Sequence, residues 1–326
     1  MDFSTLIIWL QKAIIYGSVI ALAALGEVLT EKAGNLNLGT PGTMCVGASA
    51  AAVSLFAYEA SGGTNAWVIV LLGTLVPFLA AAFMGLIYSV FTTFLRINQN
   101  VVGLVLTITG TGLAKFLSDC FIKSETGNVR LDASYRVFTA KIPFLSDKLG
   151  IASDLLFDYG FMFYVSIAII LIMTFYFKRT RAGLSLRAVG ENPATADAAG
   201  INVAFHKYLA TCIGSGMTGL AGAVCVLEFK EGAWNTANVP DIEAVGWLAV
   251  ALVIFAMWKP VNLFWAAPVF GVFYWCYQYL TMMNTYVTRM FPYIVTIIVL
   301  IVTSVRSRKE NQGPQSLGLT YFREDR

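Results

Sequence analysis

A chain of 326 residues with 57% hydrophobic and 13% charged residues, and a mean hydropathy of +0.70, carries more apolar surface than a water-soluble globule of that size can hide. The net charge of +3 offers no basic field for nucleic acid. The apolar runs are near span length rather than short and alternating, which predicts an all-α polytopic integral membrane protein: a single domain over 1–326, built as a bundle of about 8–10 transmembrane helices.

In chain order, spans are expected near 6–29, 38–58, 66–92, 101–122, 157–177, 208–227, 244–258, 261–280 and 290–305. Asp2 stands where a signal peptide needs a basic region, and no small-residue cleavage site follows, so the first helix is expected to be retained. Glu27, Glu31 and Lys32 end the first span and lead into the Gly- and Asn-rich peptide Ala33–Met44. Irregular backbone at such a place is tolerated only where it is buried in protein or lines a wet cavity. Two readings stand: a broken helix showing carbonyls and the Asn35 and Asn37 amides to a pathway, or a tight interfacial turn with Glu31 and Lys32 at the headgroups. Pro77 allows the third span to tilt or kink. Arg96–Asn100 forms a compact polar turn on the inner side. In the fourth span Gly103, Thr107, Gly110, Thr111 and Ala114 share one side, as do Gly214, Ser215, Thr218, Gly219 and Gly222 in the sixth, a pattern that lets helices approach closely. Lys115 and Asp119, four apart, read as a local ion pair.

The segment 123–157 mixes both charge signs and contains Pro143; it is expected outside, as a short surface helix or a plain loop. The basic cluster Lys178, Arg179 and Arg181 ends the fifth span and opens a polar stretch, 178–207. Within it the Ala-rich peptide Arg187–Val203, interrupted at Asn192-Pro193, is displayed between two spans. It reads as a cytoplasmic helix that docks a soluble partner, or as an amphipathic loop at the headgroups. This stretch and the tail 306–326 carry an excess of Lys and Arg and are separated by four spans, so both are placed in the cytoplasm, with the N-terminus outside. The outer interruption Glu228–Glu243 reads as a loop, in which Trp234 beside Asn235 could also stack on and hydrogen-bond a planar solute. Trp9, Trp67, Trp234, Trp258 and Trp265 fall near span ends, where aromatic anchors belong.

What is missing narrows the chemistry. The five cysteines (Cys45, Cys120, Cys212, Cys225 and Cys276) have neither disulfide nor zinc spacing. No phosphate loop occurs, and His206 is the only histidine, read as a headgroup residue. No catalysis is expected within this chain. A pathway for a neutral polar solute calls for uncharged hydrogen-bonding groups. The candidates are Asn35, Asn37, Thr107, Trp234 and Asn235, each with a packing or loop alternative.

Four stretches resemble the permease subunits of ABC importers in the branched-chain amino acid, ribose and nucleoside group, and most closely the nucleoside-type permeases that work with a basic-membrane-protein lipoprotein. They are Gly26–Ala48, Leu186–Asn202, Gly246–Pro260 and Leu317–Arg326. The chain departs from many such relatives at Pro41, where an acidic residue is common, and at Thr320, where proline is usual. The resemblance implies that Arg187, Gly190, Glu191, Asn192, Pro193, Ala196, Gly200 and Ile201 form the surface that docks on the ATPase. It further implies a second permease subunit in a heterodimer, an ATPase subunit with two nucleotide-binding domains, and an external substrate-binding lipoprotein. ATP and Mg would be bound by the ATPase, with no cofactor in this chain. The expected setting is the bacterial plasma membrane, multi-pass, with the C-terminus cytoplasmic. The expected solute is a nucleoside, with riboflavin, a sugar or a branched-chain amino acid as alternatives. A secondary transporter driven by an ion gradient is the reading from another class; it would need a charged site near the midplane, where these spans are nearly charge-free.

Overall fold

A computed structural model describes residues 3–122, 128–140, 159–275 and 312–322, with isolated positions between 287 and 301. The chain forms α1 (Phe3–Lys32), α2 (Thr40–Ala60), α3 (Ala66–Ser89, continued by a π turn, Val90–Phe94), α4 (Gln99–Phe121), α5 (Asp132–Phe138), α6 (Phe161–Arg179), α7 (Arg181–Glu191), α8 (Pro193–Ala198), α9 (Val203–Val224, continued by a π turn, Cys225–Phe229), α10 (Val239–Phe255) and α11 (Pro260–Trp275). Among the described residues, seven helices are long and apolar enough to cross a membrane: α1, α2, α3, α4, α6, α9 and α10. The protein is therefore an all-α polytopic membrane protein. Helix α11 begins the eighth expected span. The ninth, near 290–305, falls largely outside the described residues, as do Cys276, residues 306–311, Arg323–Arg326 and most of the segment 123–157.

Two boundaries move for local reasons. The sixth span starts at Val203 rather than 208, because the Asn202 carboxamide oxygen accepts from the Phe205 amide at 3.0 Å and caps a polar first turn. The seventh starts at Val239 rather than 244. Pro240 suits a helix start, and Asp241 in the first turn complements the positive end of the helix dipole. It stops at Phe255 because Met257 and Trp258 take φ of 55° and 54°, reversing the chain.

Helices α1, α2 and α9 form the buried centre, flanked by α3, α10 and α11. Lipid is as apolar as a leucine side chain, so close van der Waals packing must hold such a bundle together. The small-residue rows supply it. A Cβ on Gly47 would lie 2.3 Å from the Gly219 Cα, one on Gly26 2.2 Å from the Gly214 carbonyl oxygen, and one on Gly222 2.2 Å from that of Met44. In α4, Gly110 meets Gly42 in the same way. Phe83, Ile108 and Phe175 are exposed on the outer helices, as a lipid-facing belt requires.

One end of the bundle gathers the α1–α2 connection, the turn at Arg96–Asn98, α7, α8, Trp258 and residues 312–322. The far end holds Lys12, Glu59, α5 and residues 230–238. Within the described part of 123–157, the surface helix is realised as α5. Two-residue strands pair Val129 with Trp234 and Arg130 with Ala233. Lys115 and Asp119 are both exposed and form no ion pair with each other, contrary to the expectation from their spacing.

Candidate functional site

The α1–α2 connection is buried at Ala33, Gly34, Asn35, Asn37 and Gly39 and half-buried at Leu36 and Leu38. Gly34 takes φ of 85°, which ends α1, and several polar groups of the residues that follow are met by neighbouring helices, while the Asn35 carboxamide oxygen is buried with no partner among the described residues. The Leu36 amide donates to the Gln99 carboxamide at 2.7 Å, and the Leu36 carbonyl accepts from the Tyr88 hydroxyl at 2.6 Å. The Leu38 carbonyl accepts from the Thr107 hydroxyl at 2.7 Å. Asn37 accepts from the Gly39 amide at 3.0 Å, and Asn35 donates to the Thr211 hydroxyl at 2.9 Å. Glu27 and Glu31 are buried below this segment; Glu27 accepts from the Thr40 hydroxyl and Glu31 from the Trp258 indole. Both sequence readings of Ala33–Met44 are thus revised. Glu31 is enclosed by protein rather than exposed at a surface, and the carbonyls of Leu36 and Leu38 are spent on Tyr88 and Thr107 rather than shown to a pathway.

The left-handed pair Met257 and Trp258 carries about 1–3 kcal/mol of backbone strain per residue. It turns the Trp258 indole onto Glu31, so Trp258 is a bracing group and not a free interfacial anchor.

Helix α7 is amphipathic. Gly183, Leu186, Val189 and Gly190 face the bundle, while Leu184, Arg187 and Glu191 face out. The Thr180 hydroxyl accepts from the Gly183 amide at 3.1 Å and caps its start. Asn192 closes α7 and opens α8, its side chain accepting from the Thr195 amide at 3.0 Å, with Pro193 in the first turn where its missing N–H costs nothing. Gly200, at φ of 83°, reverses the chain into α9. Of the eight residues expected on the docking surface, Arg187, Glu191, Asn192 and Gly200 are exposed, and Pro193 and Ile201 are half-buried. Gly190 and Ala196 are a correction. Gly190 lies against the Lys32 carbonyl, where a Cβ would stand 2.2 Å from the oxygen, and Ala196 packs with Val189 and Val203. They seat the helix pair instead of presenting it.

The contribution of residues 312–322 is absent from the sequence reading. The Ser316 amide and hydroxyl both donate to the Gly190 carbonyl, at 3.1 and 2.5 Å, occupying a helix-end acceptor that α7 cannot satisfy internally. The Gly318 amide donates to the Gly34 carbonyl at 3.4 Å, Gln99 donates to the Leu319 carbonyl at 3.2 Å, and Tyr321 donates to Asp197 at 2.9 Å. The tail segment thereby ties α7 and α8 to the α1–α2 connection and to α4. No local pattern marks these contacts, since the partners lie more than a hundred residues apart.

At the far end, Trp234 is buried and its indole donates to the Ser118 hydroxyl at 3.1 Å, so its ring is a packing group and not a surface for stacking a solute. Asn235 donates to Asn128 at 2.7 Å. Ion pairs Lys12–Glu231 (2.5 Å) and Lys230–Asp241 (2.6 Å) stand nearby. The Lys12 ammonium, by hydrogen bond and by charge, holds the Glu231 carboxyl below the usual range.

Four charged side chains, Glu27, Glu31, Lys207 and Glu228, are buried within the spans. Each lies within about two turns of its helix's end, so the middle of the bundle stays free of charge among the described residues.

The chain belongs to the family described as the permease component of branched-chain amino acid transport systems, whose model matches residues 10–300. It is 31% identical to a Haloferax volcanii protein assigned provisionally as a glucose ABC transporter permease, over 94% of this chain and 95% of that one. It is 28% identical to the guanosine ABC transporter permease protein NupQ of Bacillus subtilis, over 95% of each chain. With the nucleoside ABC transporter permease protein NupC of Lactococcus lactis it shares 27% identity, over 83% of this chain and 82% of the relative. No solved structure matches it.

Proposed function

We propose that this chain is the translocation subunit of an ATP-driven importer of a nucleoside, delivered by an external binding lipoprotein, and that α7 and α8 are its contact with the ATPase. The observation that carries the reading is mechanical. Arg187, Glu191 and Asn192 point outward from a helix pair whose inner face is seated, through Gly190, on the α1–α2 connection. Displacement of α7 by a partner is transmitted directly to residues 33–39, and through Thr107 and Gln99 to α4. Closure of two nucleotide-binding domains, which would hold the ATP and Mg, would pull this seat and rock the bundle. The partners in this reading are a second permease subunit and an ATPase with paired nucleotide-binding domains. The α7 end, which also carries residues 312–322, is the cytoplasmic one in a bacterial plasma membrane.

The nucleoside assignment rests on the relatives from Bacillus subtilis and Lactococcus lactis, and the Haloferax volcanii relative keeps a sugar as the second solute class. Within the path, Asn35, Asn37 and Thr107 act by shaping the α1–α2 connection, and Asn235 stands at the outer mouth.

The test is uptake of radiolabelled nucleoside by cells expressing all subunits. Glu191→Arg places the wrong sign on the exposed face of α7 and is expected to abolish uptake while leaving insertion and assembly of the bundle intact. Uptake at the wild-type rate would remove α7 from the ATPase contact.

A further inference from the structure

Between the turn that follows α3 and the start of α9 lies a cavity of about 440 Å³, within the range of small-ligand sites. Its wall includes Thr93, Arg96, Asp197, Val203, Lys207 and Tyr321. Lys207 is the unusual member. It is 4% exposed, yet no carboxylate lies within ion-pairing distance of its ammonium among the described residues. A cation buried without a counter-charge is costly, and proteins ordinarily pair it or let it meet an anion. The acid on this wall, Asp197, accepts from the Tyr321 hydroxyl at 2.9 Å instead.

Three further features converge on the same space. Arg96, held at φ of 57°, brings a second cation to the wall, its guanidinium 4.8 Å from the Phe322 ring centre. The 22-residue helix α9 begins at Val203, so the positive end of its dipole faces the cavity. The Thr93 hydroxyl is buried with no partner among the described residues. Two cations, a helix N-terminus and a free hydroxyl donor match the oxygens of a phosphate group. Phe94 and Phe205, next in sequence to lining residues, are strongly exposed and apolar, which sets the cavity beside the lipid-facing surface.

We propose that this cavity is a binding site for a phosphate-bearing anion, in which Lys207 and Arg96 neutralise the phosphate. The ligand is either the headgroup of an anionic phospholipid or free phosphate. Because the wall joins α3, α8, α9 and residue 321, occupancy would stiffen the seat of α7 and α8.

The assembled transporter, purified with its co-expressed subunits, is placed in nanodiscs of phosphatidylcholine, with or without phosphatidylglycerol, and titrated with inorganic phosphate while its melting is followed. The wild type is expected to melt higher with phosphatidylglycerol or with phosphate. In Lys207→Gln the anion concentration for half of the effect rises about tenfold, and in phosphatidylcholine with neither phosphatidylglycerol nor added phosphate this variant melts no lower than the wild type, because it has lost a buried charge that has no carboxylate partner. A response to phosphatidylglycerol alone assigns the lipid headgroup, and one to inorganic phosphate alone assigns the free ion. Should Lys207→Gln not assemble, Arg96→Gln and acetylation of wild-type Lys207 replace it. The anion must then slow modification of Lys207 but not of the exposed Lys115. A wild type indifferent to both anions, variants that respond as it does, or a Lys207 acetylated equally fast with and without anion would overturn the proposal.

Discussion

Replacing Gly190 by alanine tests the seat of α7 with one methyl group. The new Cβ would stand 2.2 Å from the Lys32 carbonyl oxygen, 3.0 Å from the Lys32 carbonyl carbon and 3.3 Å from the Gly34 nitrogen. Ordinary contact begins near 3.4 Å, and all three obstacles are backbone atoms, so α7 must retreat by about 1 Å. Overpacking of this kind costs about 1–3 kcal/mol. The same retreat stretches the two Ser316 hydrogen bonds to the Gly190 carbonyl, now 3.1 and 2.5 Å, beyond useful range, at about 1 kcal/mol each. Alanine returns up to about 1 kcal/mol in helix propensity. The net loss, about 2–4 kcal/mol, falls on the docking of α7 and residues 315–318 rather than on the transmembrane core. Amide hydrogen exchange at Ser316 and Gly318 is expected to rise more than tenfold, and nucleoside uptake to fall steeply. Gly112→Ala is the control, since a Cβ there meets nothing within 4 Å, and it should be neutral or slightly stabilising. If Gly190→Ala behaves like Gly112→Ala in both measurements, the close approach of α7 to α1 carries no load.

The purified chain alone is expected to show no ATP hydrolysis, with activity appearing only when an ATPase subunit is co-expressed. Robust hydrolysis by the single chain, surviving contamination controls, would sink the importer reading. Thr107→Val removes the 2.7 Å donor of the half-buried Leu38 carbonyl, at about 1 kcal/mol, and is expected to lower the melting temperature and raise the half-saturation of uptake. Asn37→Ala, which removes the acceptor of the Gly39 amide, should do the same; unchanged half-saturation in both variants would leave them as packing groups only. Glu231 has its folded pKa depressed by Lys12, so the stability it contributes is present above the usual glutamate range and is lost as pH falls through its folded value. The pair is partly exposed and contributes ~0–1 kcal/mol, so the small gap in melting temperature between wild type and Glu231→Gln should close at low pH and with added salt.

Much of the bundle is legible in the sequence because its determinants are local. Span length follows from runs of apolar residues, and the close approaches of Gly47 to Gly219 and Gly26 to Gly214 are announced by small residues at helical spacing. The α7–α8 break is also legible, since Asn192-Pro193 followed by Thr195 is a helix stop and a helix start written together. The side chains that misled are those whose meaning depends on direction around a helix or on a distant partner. Trp234 looks like an interfacial aromatic until Ser118, from α4, is brought within 3.1 Å of its indole. Lys207 sits beside the more exposed His206, and one residue of rotation, about 100° on a helix, turns a side chain from the exposed face to the wall of a cavity. Gln99 begins α4 as an ordinary polar residue, yet it holds Leu36 on one side and Leu319 on the other. Hydrogen-bond demand explains why such residues are found here. The α1–α2 connection leaves backbone groups unpaired inside an apolar bundle, and each must recruit a donor or acceptor from whichever helix lies nearest. The sequence displays the demand as Gly34, Asn35 and Asn37, but only the packed helices determine that Tyr88, Gln99, Thr107 and Thr211 supply it. The same logic places Ser316 on Gly190, because a helix end pressed against protein cannot turn to water and must be capped by the chain that covers it.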